Sequence, residues 1–230
     1  MLTGARVDPA VAAAHPGYRA LGVVVAGCRN GPSDGRTEAV LLDAATRARV
    51  RLDGAPPSEL PEIAAWRQAF TVFGAKPSRF PSSAEALLKR VARGDEPPTV
   101  NRLVDCYNAV SIAYALPLGG EDAARIEGEA VLRRATGDED CDVPGADGEP
   151  APPRPGEVVW CDELGVTCRA WNWRQGARTR IDEGTTTAWF LLEAMAPATD
   201  EALDAALDEL LAHLAVVGAG GEVERTWRLP

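Results

Sequence analysis

The chain has 230 residues, of which 46% are hydrophobic and 25% charged, and its formal net charge is -10. This is ordinary soluble composition, long enough for a real core in one large domain or a compact domain with arms, and the expected division is a single domain over residues 1–230. The acidic balance excludes capture of nucleic acid by overall charge, so an RNA partner has to be met by a local basic patch.

The five cysteines are odd in number, and none shares a CxxC spacing with another; with only two histidines, His15 and His213, the sequence offers no Cys/His zinc set. No metal and no cofactor are expected, and free thiols point to a reduced compartment. No charged start with a long apolar run opens the chain, and no apolar run reaches the ~18 residues of a bilayer span. The expectation is a soluble cytoplasmic protein.

In chain order, Ala20–Cys28 reads as a buried strand followed by the turn "RNGPSDG". Thr37–Val50 reads as a helix. So does Glu59–Phe73, where Ile63, Trp66, Phe70 and Phe73 recur at near-helical spacing. "SSAEALLKRVARG" carries Ser82 or Ser83 as N-cap, Glu85 in the first turn and Gly94 past the end. Val100–Ala115 reads as a further helix. A strand is expected around Glu129–Arg133 and a surface loop over Gly137–Pro155. "GEVVWCDELGVTCRAWNWR" predicts two strands about the turn Glu163–Gly165. "TTTAWFLLEAM" is strand or helix, with Thr, Trp and Phe favouring strand. Asp200–Val217 predicts an amphipathic helix capped by Asp200, and "GEVERTWRLP" a final strand. The order predicts α+β: mixed sheets packed with flanking helices.

No Walker loop or GxGxxG occurs. "GAGG" at Gly218–Gly221 reads as a helix stop, and His213 as a surface or edge residue of its helix. "RAWNWR" has two readings: an arginine and aromatic surface for single-stranded nucleic acid, or a half-buried strand with Trp171 and Trp173 on one face. Within Val100–Ala115, Arg102 and Asp105 stand three apart and can pair on a helix, and Asn101 and Asp105 share a face. Spacing alone leaves open whether these groups are solvated, cap a neighbour or form a site.

The stretch "NRLVDCYNAVSIAYALPLGG" resembles the B3/4 editing domain of the bacterial phenylalanyl-tRNA synthetase β subunit, which carries Val-Asp-x-Thr-Asn-Tyr followed by a Gln-Pro-Leu-His turn. "TTTAWFLLEAM" is similar to that domain's later Thr-x-x-x-x-Leu-Leu-Glu-Ala segment. "FTVFGAKPSRFPSSAEALLKRV" and "EVVWCDELGVTCRAWNWR" look like its free-standing relatives, and the likeness runs from Ala64 to Met195. No aminoacylation module fits in the remainder. The resemblance implies a pocket that holds an amino acid wrongly esterified to tRNA and positions a water at the ester. It implies that Arg102 lies at the pocket mouth near the tRNA end and that Asn108 positions ester and water. Tyr107, standing for Thr, and Pro117 line the pocket. Glu193 recognises the substrate side chain. Gly119 stands where the family has His, which removes the nearest imidazole.

If the resemblance holds, the chain is a deacylase acting in trans on mischarged aminoacyl-tRNA. Its partner is the aminoacyl-tRNA 3′ end, and Arg79, Lys89, Arg90 and Arg93 are candidates for the local basic patch. A non-catalytic module that binds free amino acid or tRNA, and a hydrolase of another small ester or amide, are the alternatives. Ester hydrolysis needs little beyond a positioned water and nearby donors. The cysteines, Cys106 included, are expected to be non-catalytic.

Overall fold

The computed structural model describes residues 1–143 and 151–230. Among these, nine strands and six helices follow in the order β1 (Leu2–Val7), α1 (Pro9–Ala14), β2 (Tyr18–Ala26), α2 (Gly35–Leu52), α3 (Pro61–Val72), α4 (Ser83–Ala92) and α5 (Arg102–Tyr114). Then come β3 (Leu118–Asp122), β4 (Gly128–Arg134), β5 (Val158–Asp162), β6 (Gly165–Arg169), β7 (Arg174–Gln175), β8 (Thr187–Met195), α6 (Asp200–Val216) and β9 (Glu222–Leu229). The fold is α+β. Residues 144–150 of the expected loop Gly137–Pro155 lie outside the described residues.

Two sheets form. The first has the order β1-β4-β5-β6-β7, with only β1 and β4 parallel. The second, β3-β8-β2-β9, is antiparallel throughout. Strand β8 explains the second sheet's position. Side chains alternate along a strand, and "TAWFLLEAM" is apolar on both faces except at Glu193. Phe190, Leu192 and Ala194 face α5 and α6, in one cluster with Val110 and Leu210. Trp189, Leu191 and Met195 face the first sheet, in a second cluster with Leu132, Val158 and Trp160. A third cluster joins α2, α3, α4 and α5 through Leu41, Ile63, Leu88 and Ile112.

The polar start of α5 proves to be largely a cap. Asn101 Oδ1 accepts from the Val104 amide at 3.1 Å and from Asn30 Nδ2 at 3.1 Å. Asn30 Oδ1 accepts from the Leu103 amide, also at 3.1 Å. Asp105 is fully buried and turns back to accept from the Val100 amide at 2.8 Å. These contacts satisfy amides that a helix start leaves orphaned. The pairing of Arg102 with Asp105 does not form: Arg102 reaches Asp34 instead, at 3.1 Å. Helix α5 ends at Ala115 in the left-handed region (φ 57°), and Pro117 prevents its continuation.

Two further expectations are corrected. The cap of α6 is Thr199, whose side chain accepts from the Ala202 amide, and Asp200 is the first helical residue. The strand expected to run through "RAWNWR" stops at Arg169. Ala170 and Trp171 have φ of 41° and 65°, a region that extended strands cannot hold. The chain turns there because Glu157 grips it from β5's approach: its carboxylate accepts from Arg169 at 3.0 and 2.9 Å and from the Ala170 amide at 3.0 Å. Trp171 and Trp173 therefore do not share a strand face.

Candidate active site

The turn Ala170–Trp173 closes one end of a cavity of about 160 Å³ between the two sheets. That volume is similar to cavities of ~150 Å³ known to hold one benzene ring. The first sheet contributes Trp160, Cys168, Arg174 and Gln175, and the turn adds Trp171, Asn172 and Trp173. The second sheet contributes Gly119, Glu121, Trp189, Leu191 and Glu193. Leu118 and Gly120 of β3, Tyr107 and Asn108 of α5 and Ser83 of α4 complete it. The strand register explains the second-sheet face: Gly119 pairs with Leu191 and Glu121 with Trp189. Directly paired residues point to the same side of a sheet, so Gly119 and Glu121 face the cavity with Trp189, Leu191 and Glu193.

Glu193 is 3% exposed, and among the described residues no cation pairs with it. Its Oε1 accepts from Tyr18 Oη at 2.8 Å, Trp171 Nε1 at 2.8 Å and Trp160 Nε1 at 3.3 Å. Its Oε2 accepts from Asn172 Nδ2 at 3.0 Å. Four neutral donors, none of them a cation, hold the carboxylate. Burial pushes the carboxyl up, and the four donors pull it down. The Asn172 Nδ2 bond fixes that amide's orientation, and Asn172 Oδ1 is buried without a hydrogen-bond partner. At this end of the cavity stand a singly bonded Oε2 and the buried, unpartnered Asn172 Oδ1. Trp171, fully buried, locks the floor by edge contacts with His15, Tyr18 and Trp66 at 4.9, 5.0 and 5.3 Å.

Glu121 sits toward β7, 8% exposed. Burial raises its carboxyl to about 7, against the pull of the nearby Thr179 and Thr167 hydroxyls; the Asp162 charge adds to the rise and Arg178 opposes it. Those hydroxyls are near but not in bonding geometry: Glu121 Oε2, Thr167 Oγ1 and Thr179 Oγ1 are all buried without a hydrogen-bond partner. The Cys168 thiol is pushed well up by burial and then by Glu121 and Glu193. Burial also raises Tyr107.

The expected site residues divide. Asn108, Tyr107, Gly119 and Glu193 meet at the cavity. Pro117 lies behind the wall, buried, with its carbonyl accepting from the Glu193 amide at 2.9 Å. Arg102 does not line the cavity; it is held by Asp34. Lys89 pairs with Glu85 at 2.8 Å, Arg93 with Asp95 at 3.4 Å, and Arg90 donates to the Glu96 carbonyl at 2.6 Å. Arg79 lies elsewhere, over the Phe80 ring at 5.5 Å, opposite Arg154 at 5.6 Å. Phe80 meets Trp173 edge-on at 4.8 Å, and Arg174 stacks over Trp173 at 4.4 Å. Three arginines thus stack on two adjoining aromatic rings, of which Trp173, with Arg174, lines the cavity.

Sequence reasoning missed Tyr18, Trp160, Asn172, Trp189 and Glu121. Glu121 carries a signal: it stands two residues past Gly119 and so shares its strand face. Among the described residues no His/Cys/Asp/Glu group fit to hold a metal ion occurs, and no helix is long and apolar enough to cross a membrane.

A B3/4 domain family model matches residues 65–210. An N-terminal fragment of the phenylalanyl-tRNA synthetase β subunit from Pyrococcus horikoshii is similar at a TM-score of 0.44 and 10% identity, over 99% of this chain and 50% of that one. The chain thus spans about half the length of that structure. No curated protein matches the chain. With well over half of its length covered by the family model, the chain belongs to the B3/4 domain family.

Proposed function

We propose that the chain hydrolyses the ester of a mischarged aminoacyl-tRNA, with the aminoacyl side chain seated in the cavity between the sheets. The observation that carries this reading is the cavity floor. A buried carboxylate held by four donors, beside a free amide oxygen, stands at the end of a tryptophan-walled space sized for one ring. Unpaired buried acceptors are costly, and an occupant bringing a hydroxyl or N–H donor to the floor relieves that cost. Membership of the B3/4 family and the resemblance around Asn108 support the same chemistry.

On this reading the ester lies at the cavity mouth between Asn108 and Gly119. Asn108 makes no side-chain hydrogen bond among the described residues and is open to position the ester or its water. Gly119 has nothing within 4 Å of where a Cβ would stand, which leaves room for the carbonyl. The terminal nucleotides lie against Phe80 and Trp173, with Arg79, Arg154 and Arg174 supplying the local positive charge that the chain's net charge does not.

The test is incubation of the protein with a panel of labelled aminoacyl-tRNAs. Ester loss above the buffer rate for at least one of them is expected, with no aminoacylation of tRNA by free amino acid. No loss across the panel refutes the reading. The absence of an imidazole at Gly119 favours a second reading, a non-catalytic binder of the same ligand. It predicts saturable binding of an aminoacyl-tRNA whose ester then survives.

A further inference from the structure

We propose that Glu121 is the proton acceptor for the attacking water, a role that rests on the deacylase reading above. Five titratable side chains line the cavity: Tyr107, Glu121, Cys168, Arg174 and Glu193. Four are unsuited to accept a proton at neutral pH. The Arg174 guanidinium offers donors and no acceptor. The Cys168 thiol and Tyr107 phenol are driven up by burial and stay protonated. The Glu193 carboxylate already accepts four hydrogen bonds. Glu121 alone among them combines burial, a cavity-facing strand position and an oxygen with no partner.

Its surroundings suit the role. The charges of Asp162 and Arg178 act on Glu121 in opposite directions, and the two form a two-bond pair at 2.8 and 2.6 Å. Cys168 lines the same cavity from β6, and Tyr107 of α5 stands against Gly120 on the other face of β3; both are uncharged. Arg180 pairs with Glu121 across a backbone bridge. The carboxyl is consequently poised at about 7 by burial rather than fixed by a partner, and a base poised near the working pH is the effective one.

The step balances within the site. The water oxygen bonds to the ester carbonyl carbon while one water proton passes to the Glu121 carboxylate. The carbon–oxygen bond to the ribose then breaks, and the leaving ribose oxygen takes that proton back. The products are the free amino acid and tRNA with its hydroxyl restored, and Glu121 ends as it began.

The test uses the whole chain and the aminoacyl-tRNA that the wild type cleaves fastest in the panel, under single-turnover conditions from about pH 5 to pH 9. The expected wild-type rate rises with pH, bends near 7 and then levels, because the ionised form is the active one. Glu121→Gln is expected to lower the rate by ~10²–10⁴-fold at unchanged half-saturation and to abolish the bend. Glu121→Asp, which keeps a carboxylate on a shorter stem, should retain the bend at an intermediate rate. A folded Glu121→Gln protein within about threefold of wild type, with the bend intact, overturns the role and leaves the deacylase reading standing. A wild type that cleaves nothing overturns both. If Glu121→Gln does not fold, the Glu121→Asp profile decides: a bend kept near 7 at the full wild-type rate, or no bend at all, refutes Glu121 as the acceptor.

Discussion

The cavity has two carboxylates on one sheet face, and its two ends treat them differently. Glu193 and Glu121 are both almost wholly buried, at 3% and 8% exposure, and burial pushes both upward. At one end Tyr18, Trp160, Trp171 and Asn172 converge on Glu193. At the other, Glu121 Oε2 meets no donor, although two threonine hydroxyls lie close by. Depth therefore does not decide what a buried acid can do; the donors aimed at it do. A carboxylate gripped by four donors has a fixed orientation and suits recognition, whereas one without them has a mobile proton and suits chemistry.

Removing the gripped acid should have the largest effect on stability. Glu193→Leu strands two indole N–H groups, a phenol and an amide in a dry core, and should cost roughly 4 kcal/mol or more. Denaturant unfolding at neutral pH reads it, and a loss below about 1 kcal/mol would show that the four donors find other partners. Glu193→Gln keeps one acceptor oxygen and should cost about 2 kcal/mol.

The ungripped acid should behave in the opposite sense. A carboxyl raised above its unfolded value of 4.5 to about 7 binds its proton more tightly in the folded state. Wild-type stability should then fall, relative to Glu121→Gln, as pH rises from 4.5 to 7, by up to about 3 kcal/mol. Melting curves of the two proteins at pH 5 and pH 8 check this. Equal offsets at both pH values would mean that Glu121 does not titrate in this window and that the contrast between the two ends is false.

The strand face that puts Glu121 in the cavity can be tested at the two glycines before it. A Cβ at Gly120 would stand 2.8 Å from Ile181 Cδ1 and 3.0 Å from Tyr107 Cε1, so Gly120→Ala should cost about 1–3 kcal/mol. Gly119→Ala meets nothing within 4 Å and should cost less than about 0.5 kcal/mol. The reverse order would invert the face on which Glu121 lies.

The smallest expected effect is at Cys106. It is fully buried in α5, and burial pushes its thiol up to about 12, leaving it a protonated packing group. Cys106→Ala should leave ester hydrolysis unchanged, measured as the single-turnover rate. Complete loss in a folded protein would place a thiol in the chemistry.

Much of this architecture was legible from periodicity. Helices α2 to α6 and strands β2, β4, β5, β6, β8 and β9 carry clear 3.6- or 2-residue patterns, and their boundaries fall within a few residues of expectation. β1, α1, β3 and β7 were not: they span two to six residues, too few to leave a repeating pattern. Overlooking β3 hid Glu121, because Leu118–Gly120 reads as a turn until its pairing with β8 makes it a strand. The Trp171 turn was hidden for another reason. Its left-handed residues are imposed by Glu157, twelve positions or more away in sequence, and local propensity cannot foresee such a grip. The cations that stack on Phe80 and Trp173 were likewise set by tertiary placement: of Arg79, Lys89, Arg90 and Arg93, only Arg79 stacks there, joined by Arg154 and Arg174.

The division of labour between the two carboxylates is tested most directly by measuring kcat/KM over the aminoacyl-tRNA panel for wild type, Glu121→Gln and Glu193→Gln, each shown to be folded. Glu121→Gln should lower every cleaved substrate by a common factor and preserve their ranking. Glu193→Gln should reorder the ranking, since a missing polar partner changes discrimination between side chains by several kcal/mol at most, and should leave the pH bend in place. A Glu193→Gln protein with an unchanged ranking, or a Glu121→Gln protein that changes the ranking at an unchanged rate, would contradict the account.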